Sequence, residues 1–146
     1  MTADDYLTDA IRRLGGALRG PSVGGERDSI LRTLAESNRP RRRATAAEWS
    51  KNPKQLSVLA ADSIYTVRVV AAANPFTPGA TLADLADDRV SKVRLATAKN
   101  LSTPGTTLES LSLSGDHDIR TAVAGNWSTP PECLGRLSKD RIARVR

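Results

Sequence analysis

The stretch NPFTPGATLADLADDRVSKVRLATAKN, residues 74–100, contains one full copy of a pattern that recurs along the chain every 26 residues. Two leucines, an asparagine and a Val/Ile-Arg pair keep this spacing in successive copies. The leucines are Leu56, Leu82, Leu108 and Leu134, with Leu59, Leu85, Leu111 and Leu137; the asparagines are Asn74, Asn100 and Asn126. Chance does not bring this many columns into phase. The period therefore indicates a repeat protein, whose units are too small to bury their own apolar stripe and must stack on one another.

Each copy predicts two short helices. A Thr-Pro pair, such as Thr77-Pro78, favours the start of the first helix, because threonine can cap free N–H groups and proline has no N–H to lose. In the last copy, Thr129 and Glu132 also have the spacing of a capping box. The aspartate before the Val/Ile-Arg pair can cap the second helix, and the asparagine that ends this helix tolerates a left-handed backbone. The sequence therefore predicts an all-α fold, an α-solenoid of 26-residue two-helix repeats.

The first part of the chain fits this pattern less well. Residues 3–19 predict an amphipathic helix, and residues 26–37 predict a second helix whose leucines are one residue out of phase with the repeat. Terminal repeats are atypical because one of their faces meets water. We therefore expect an N-terminal helical cap and a degenerate first repeat at 1–51, continuous with the regular repeats at 52–146 in one solenoid domain.

Composition excludes several classes of protein. Cys133 is the only cysteine in 146 residues, so we expect no disulfide framework and no cysteine-ligated metal site. The chain has no apolar run long enough to span a membrane, and its acidic N-terminus is unlike a signal peptide, so we expect a cytoplasmic protein. The sequence shows no glycine-rich phosphate loop, no nucleophile–base set and no metal-ligand spacing. It therefore predicts a protein that is not an enzyme and that has no cofactor and no metal.

Residues 74–100 and NWSTPPECLGRLSKDRIARVR, residues 126–146, resemble the leucine-rich repeat variant (LRV) family, bacterial repeats similar to HEAT repeats. The resemblance covers roughly residues 52–146 and rests on Asn-Pro-x-Thr-Pro, Leu-x-x-Leu-Ala-x-Asp and Val-Arg. It implies a right-handed superhelix of alternating helices. The iron–sulfur cluster of the founding type needs an N-terminal cysteine cluster, and no cysteine precedes Cys133, so this feature does not carry over. The resemblance implies no single biochemical activity.

One arginine column invites two interpretations; its members are Arg42, Arg68, Arg94, Arg120 and Arg146. Such a row could contact phosphates. However, an aspartate stands six residues before three of these arginines, at Asp62, Asp88 and Asp140. HEAT-like repeats use such Asp and Arg residues to join neighbouring layers by charge-assisted hydrogen bonds, so a structural inter-repeat ladder is the favoured interpretation. The third unit has Ser114 instead of the aspartate, and we expect Asp116 or Asp118 to rebuild its ion pair.

A basic cluster is the first candidate for a binding site, in what the sequence predicts to be a loop. It comprises Arg39, Arg41, Arg42 and Arg43, followed by Lys51 and Lys54. The cluster is either a solvated basic turn or a patch for nucleic acid or another acidic partner, and the net charge of +6 and pI near 10.1 permit the second interpretation. Trp49 lies beside the cluster. Trp127, on an inter-repeat turn, either packs over its loop or stacks on a base or in a partner's pocket.

The segment LSKDRIARVR, residues 137–146, is the second candidate, because it ends within a predicted second helix. We expect this end of the solenoid to expose Leu134, Leu137, Ile142 and Val145, which could form an interface with a partner or a homodimer contact. We therefore expect a non-catalytic repeat scaffold, and the mixed charge of the middle repeats favours a protein partner. The alternative is a nucleic-acid-binding solenoid that uses the basic cluster. A HEAT-like DNA glycosylase is a remote alternative, since no motif of that class is present.

Overall fold

The computed structural model describes residues 25–146, and this part of the chain is an all-α fold, as predicted. In chain order the helices are α1 (Glu26–Ala35), α2 (Pro40–Trp49), α3 (Pro53–Ala60), α4 (Tyr65–Ala73), α5 (Gly79–Ala86), α6 (Ser91–Lys99), α7 (Gly105–Leu111), α8 (His117–Ala124) and α9 (Pro131–Leu137). The helix predicted at 3–19 lies outside the described residues. The prediction that the basic segment lies in a loop is wrong, because Pro40 starts helix α2.

The helices form two rows, each helix packing against its neighbours along the chain. The even-numbered helices α2, α4, α6 and α8 pack closely on one another, whereas the odd-numbered helices of the other row touch one another less. The core lies between the rows. The leucine stripe was predicted correctly to face it: Leu82 and Leu85 of α5, for example, are buried together with Val93 of α6.

The repeated asparagines join successive units through their side chains. The side-chain amide of Asn100 donates hydrogen bonds to the carbonyls of Ala72 and Asn74, one repeat earlier, at 2.7 and 2.9 Å. Asn126 makes the same contacts with Ala98 and Asn100 at 2.8 and 3.0 Å. The predicted left-handed backbone is wrong, since Asn100 has φ −73° and ψ 125°. The extended backbone directs the amide towards the preceding repeat, where it satisfies carbonyls at the end of a buried helix.

The Thr-Pro pairs also act differently from the prediction. The Thr103 hydroxyl donates to the carbonyl of Thr97 in the preceding helix, at 2.7 Å, and Thr103 is buried. Proline, not threonine, is the N-cap of α5, α7 and α9, and no side chain caps these helices. The prediction of a capping box at Thr129 is likewise wrong, because the Thr129 hydroxyl donates to the Val123 carbonyl at 2.6 Å. The threonine therefore fixes the turn between repeats instead of starting a helix.

Glycines next to the prolines allow the odd-numbered helices to approach. A Cβ atom on Gly79 would lie 3.1 Å from Cγ of Pro104, and a Cβ on Gly105 would lie 3.2 Å from Cγ of Pro130. Both distances are shorter than ordinary carbon–carbon contacts. The first turn of each of these helices thus packs against the turn of the next repeat, which only a residue without a side chain permits without displacement.

The C-terminal segment departs from the prediction that it is an exposed apolar end. Leu137 and Val145 are buried with Ile119 and Val123 of α8, and Ile142 is half-buried. Leu134 alone of the four is exposed, at 40%. Leu137 and Val145 therefore belong to the core, because the final residues fold back over α8, and neither offers a surface for a homodimer.

Candidate functional site

An ion-pair ladder runs along one side of the array, where one arginine of each of the helices α2, α4 and α8 binds an aspartate of the next repeat. Nε and Nη2 of Arg68 donate to the two carboxylate oxygens of Asp88 at 2.7 and 3.1 Å. Arg120 binds Asp140 in the same way at 2.7 and 3.3 Å. In each case Nη1 donates to a backbone carbonyl six residues before the arginine, that of Asp62 for Arg68. One guanidinium therefore connects two repeats.

The first pair of the ladder is one residue out of the predicted phase. Arg43, not Arg42, binds both carboxylate oxygens of Asp62, while its Nη1 donates to the carbonyl of Ser37. The first repeat differs again at Ser50, whose buried side chain stands where later units have asparagine and accepts the N–H of Asn52 at 3.1 Å. The fixed 26-residue count cannot detect such a shift. Arg43 is consequently a structural residue and not part of a surface patch.

The ladder also sets the protonation behaviour of its aspartates. Hydrogen bonds from Arg43, Arg68 and Arg120 lower the pKa of Asp62, Asp88 and Asp140 respectively, and partial burial opposes this effect. Each of these carboxylates also accepts the backbone N–H two residues further on, at 2.8–2.9 Å, which favours the charged form. The aspartates thus hold the turn before the second helix, close to the predicted capping role. They are charged in the folded protein at neutral pH.

The ladder changes at Arg94. Its Nη1 donates to the carbonyl of Asp88 at 2.7 Å, as in the other units, but Ser114 occupies the place of the aspartate. The expected replacement by Asp116 or Asp118 is wrong. Asp116 caps helix α8 by accepting the N–H of Asp118 at 2.9 Å, and the carboxylate of Asp118 lies 3.8 Å from Arg144. Within residues 25–146, Arg94 has no ion-pair partner.

The last arginine of the column, Arg146, is exposed. Its Nη1 donates to the carbonyl of Asp140 at 2.8 Å, so it repeats the local contact of the other arginines. Arg94 and Arg146 therefore keep the hydrogen bond to a carbonyl of their own repeat but, in the described part of the chain, make no ion pair with an aspartate of a next repeat.

The predicted basic cluster is divided by helix α2. Successive residues of a helix point about 100° apart, so Arg41 is exposed, Arg42 is half-buried and Arg43 points into the ladder. Arg39, the N-cap of this helix, is exposed. Lys54 is exposed in α3, and Nζ of Lys51 lies 5.6 Å from the centroid of the Phe76 ring. Arg43 is thus engaged in the ladder, whereas Arg39, Arg41, Lys51 and Lys54 remain exposed.

The two tryptophans differ in their surroundings. Trp127 is 94% exposed on the turn between α8 and α9, so the interpretation in which it packs over its loop is wrong. Trp49 ends helix α2 and is 39% exposed, and its carbonyl accepts a hydrogen bond from Arg27 at 3.0 Å. Only Trp127 offers most of its ring to a partner.

An apolar groove lies between helices α4 and α6, and the sequence interpretation missed it. Its volume is about 360 Å³, and its lining includes Val69 and Ala73 of α4 and Leu95 and Ala96 of α6. Lys92 and Lys99 stand beside these residues, both exposed. A signal was present in the repeat: the residue after the ladder arginine is apolar at Val69 and Leu95, and both side chains are only partly buried against the core. We call this feature the α4–α6 groove.

The single histidine and the single cysteine lie in different surroundings. His117 is exposed at the start of α8 and lies 3.4 Å from the Asp118 carboxylate. Cys133 is buried, and Nη2 of Arg136 lies 3.5 Å from its sulfur and 2.7 Å from the Ser112 hydroxyl. No three His, Cys, Asp or Glu side chains within the part of the chain that the structure describes come close enough to hold a metal ion.

None of the helices between residues 25 and 146 has both the length and the apolar character needed to cross a bilayer. Comparison of the chain with protein-family models, with curated protein sequences and with solved structures found no match.

Proposed function

We propose that this protein is a non-catalytic scaffold that binds an acidic segment of another protein in the α4–α6 groove. The observation on which the proposal depends is an apolar floor, formed in part by Val69 and Leu95, with two exposed lysines beside it. Binding sites of this kind combine an apolar surface, which supplies affinity, with a few charges that select and orient the partner.

The spacing of the lysines indicates what the partner looks like. Lys92 and Lys99 lie seven residues apart, two turns of helix α6, so their backbones are separated by roughly 10 Å along one face. Leu95 lies between them on that face. A partner segment with one apolar anchor and acidic residues on both sides of it matches this arrangement.

A selection from a displayed library of random peptides tests the proposal. We expect the selected peptides to carry an apolar residue flanked by aspartate or glutamate. Their affinity should fall roughly tenfold or more in the variant Lys92→Glu with Lys99→Glu, because two attractive charges become repulsive. The matched control is Lys54→Glu with Lys139→Glu, which makes the same change of net charge at two exposed lysines outside the groove.

Fluorescence polarisation with one labelled peptide gives the affinities of the wild-type protein and both variants. The control variant should keep the wild-type affinity to within about threefold at physiological salt, where distant charges are screened. Equal losses in the two variants would mean that net charge, and not the groove, attracts the peptide, and the proposal would be wrong. The variant Ala73→Asp, at an exposed groove residue, provides an independent check.

The proposed scaffold is a right-handed α-solenoid of the leucine-rich repeat variant type, with 26-residue units, that acts in the cytoplasm. Hydrogen bonds that recur between Asn74, Asn100, Asn126 and the carbonyls one repeat earlier support the stacking of similar units in this proposal. So does the close packing of the even-numbered helices. In such arrays, the surface of the closely packed row is commonly the one that binds partners. The α4–α6 groove lies in that row.

A nucleic-acid partner is the second candidate, and the net charge of +6 favours it. Arg41 and Lys54 are exposed and available for phosphate contacts, whereas Arg43 is not. Affinity for single-stranded DNA or RNA should then fall steeply with salt and should decrease in the variant Arg41→Glu with Lys54→Glu. Selected peptides that bind the groove while nucleic acid binds with no dependence on these two residues would exclude this candidate.

A further inference from the structure

We infer that Arg94 and Ser114 form a binding site for a carboxylate group supplied from outside the chain. The site lies on the ladder side of the molecule and does not depend on the α4–α6 groove. The inference comes from comparing Arg94 with the three arginines that form complete ion pairs, Arg43, Arg68 and Arg120. All four arginines occupy equivalent places in successive repeats.

The orientation of the Arg94 guanidinium is fixed in the same way as that of its equivalents. Its Nη1 donates to the carbonyl of Asp88 at 2.7 Å, and Nη1 of Arg68 donates to the carbonyl of Asp62 at the same distance. In Arg68, the remaining Nε and Nη2 groups bind both oxygens of one carboxylate. Equivalent orientation therefore directs the Nε and Nη2 groups of Arg94 towards the place that a carboxylate occupies in the other units.

Ser114 keeps the two contacts that the ladder aspartate makes within its own repeat. Its hydroxyl accepts the N–H of Asp116, two residues on, at 3.2 Å, as the aspartates do in their turns. Its carbonyl accepts Nη1 of Arg120 at 2.8 Å. The turn is thus preserved, while the side chain is too short to reach Arg94.

A cavity of about 200 Å³ lies between these two residues. Its lining includes Arg94, Ser114, Ser110, Leu113 and Asp87. No buried side-chain nitrogen or oxygen in the described part of the chain lacks a hydrogen-bond partner, so the free donors of Arg94 reach solvent here. The volume accommodates a carboxylate and the methylene that bears it. Asp87 is exposed, and water and salt therefore weaken its repulsion of an anion.

A carboxylate fits this place better than other anions. The arginine fork binds two oxygens of one planar group, and the three equivalent sites in this chain bind carboxylates in that manner. The group can come from an aspartate or glutamate side chain of a partner or from a small free acid. The same chemistry recognises both sources.

The Nε–Hε signal of Arg94 in NMR spectra of ¹⁵N-labelled protein tests the inference, with Arg94→Lys used to assign the signal. Titration with acetate, at an ionic strength held constant with chloride, should shift this signal in a saturable manner. The corresponding signals of Arg68 and Arg120 serve as internal controls and should not shift, because their donors are already bound. The variant Ser114→Asp supplies an internal carboxylate and should abolish the shift.

Two blocked tripeptides identify the source. Acetyl-Gly-Asp-Gly-amide should produce the acetate shift if a side chain is accepted, and acetyl-Gly-Asn-Gly-amide should not. Binding of the aspartate peptide supports the site and assigns it to a side chain of a partner. Binding of acetate but not of the peptide supports the site and assigns it to a small free acid. A linear shift, an equal shift with chloride, or a shift that persists in Ser114→Asp would overturn the inference. Loss of the acetate-induced shift of the Ser114 backbone N–H in the variant Arg94→Gln provides a second readout.

Discussion

Exchanging the residues of two ladder positions should move stability in opposite directions. Asp88→Ser gives the second unit the residue of the third, and Ser114→Asp gives the third unit the residue of the second. In the wild-type protein, the side chains of Arg68 and Asp88 are each only 9% exposed and share two hydrogen bonds. Removing the carboxylate leaves a largely buried guanidinium without its partner. We therefore expect Asp88→Ser to cost about 2–4 kcal/mol of unfolding free energy.

The gain from Ser114→Asp should be smaller, about 0.5–1.5 kcal/mol, because the new carboxylate loses hydration as it binds. Arg94 is already held by the Asp88 carbonyl, so it loses little additional freedom. Urea denaturation followed by helical circular dichroism measures both changes, provided that the slope with urea stays constant. Asp84→Ser, at an exposed position of α5, is the control for loss of one negative charge.

A double-mutant cycle separates the ion pair from other effects of the new aspartate. In a protein that already contains Arg94→Gln, the variant Ser114→Asp should give no stabilisation. A gain of the same size in that background would show that the aspartate acts through the turn and not through Arg94. Our account of the ladder would be refuted by a cost below about 0.5 kcal/mol for Asp88→Ser, the range of ordinary surface substitutions.

Three further outcomes follow from the same contacts. The pKa values of Asp62, Asp88 and Asp140 are lowered in the folded state, so these carboxylates stabilise the fold fully above the ordinary carboxyl pKa of about 4 and lose this effect as pH falls below it. Urea midpoints measured between pH 7 and pH 2 should show this loss of stability. The variant Asp88→Ser should make the loss smaller. Asn100→Ala should cost about 2–4 kcal/mol in the same urea assay, since two buried carbonyls lose their donor, and a cost near zero would mean that water replaces the amide. Leu85→Ala should cost about 2–5 kcal/mol as a truncation in the core, and a loss under 1 kcal/mol would contradict that placement.

The pattern of apolar residues predicted most of the helices and the core. Leu82 and Leu85 are buried because a stripe of this kind must face other helices, whatever the details of the turns. Asp88 and Arg68 were likewise assigned correctly to a structural ladder. What the pattern could not show was the partner: Arg68 binds the carboxylate 20 residues later and only the carbonyl of the aspartate six residues earlier. Spacing along the chain leaves that choice open, because it depends on how two repeats stack.

The wrong predictions concern side chains that can form hydrogen bonds in more than one way. Thr103 and Asn100 are good capping residues in isolation, and both instead bond to carbonyls of preceding helices. Those carbonyls become buried only when the repeats stack, and a buried carbonyl without a donor costs more than an exposed helix end. The stacking of the repeats therefore decided which hydrogen bonds these side chains make. The one-residue shift to Arg43 escaped prediction for a related reason, since several adjacent arginines can satisfy the same column.

In a repeat protein, the copies within one chain distinguish structural residues from candidates for binding. A residue that recurs in successive units and binds the preceding unit, such as Asn74, Asn100 or Asn126, is explained by stacking alone. Ser114 cannot be explained in this way, because an aspartate there would complete a contact that three other units make. The serine leaves the Nε and Nη2 donors of Arg94 without a carboxylate partner within residues 25–146. A ligand that brings a carboxylate would complete the same two-oxygen contact that Arg43, Arg68 and Arg120 already make, so we expect Arg94 to bind a partner where those arginines do not.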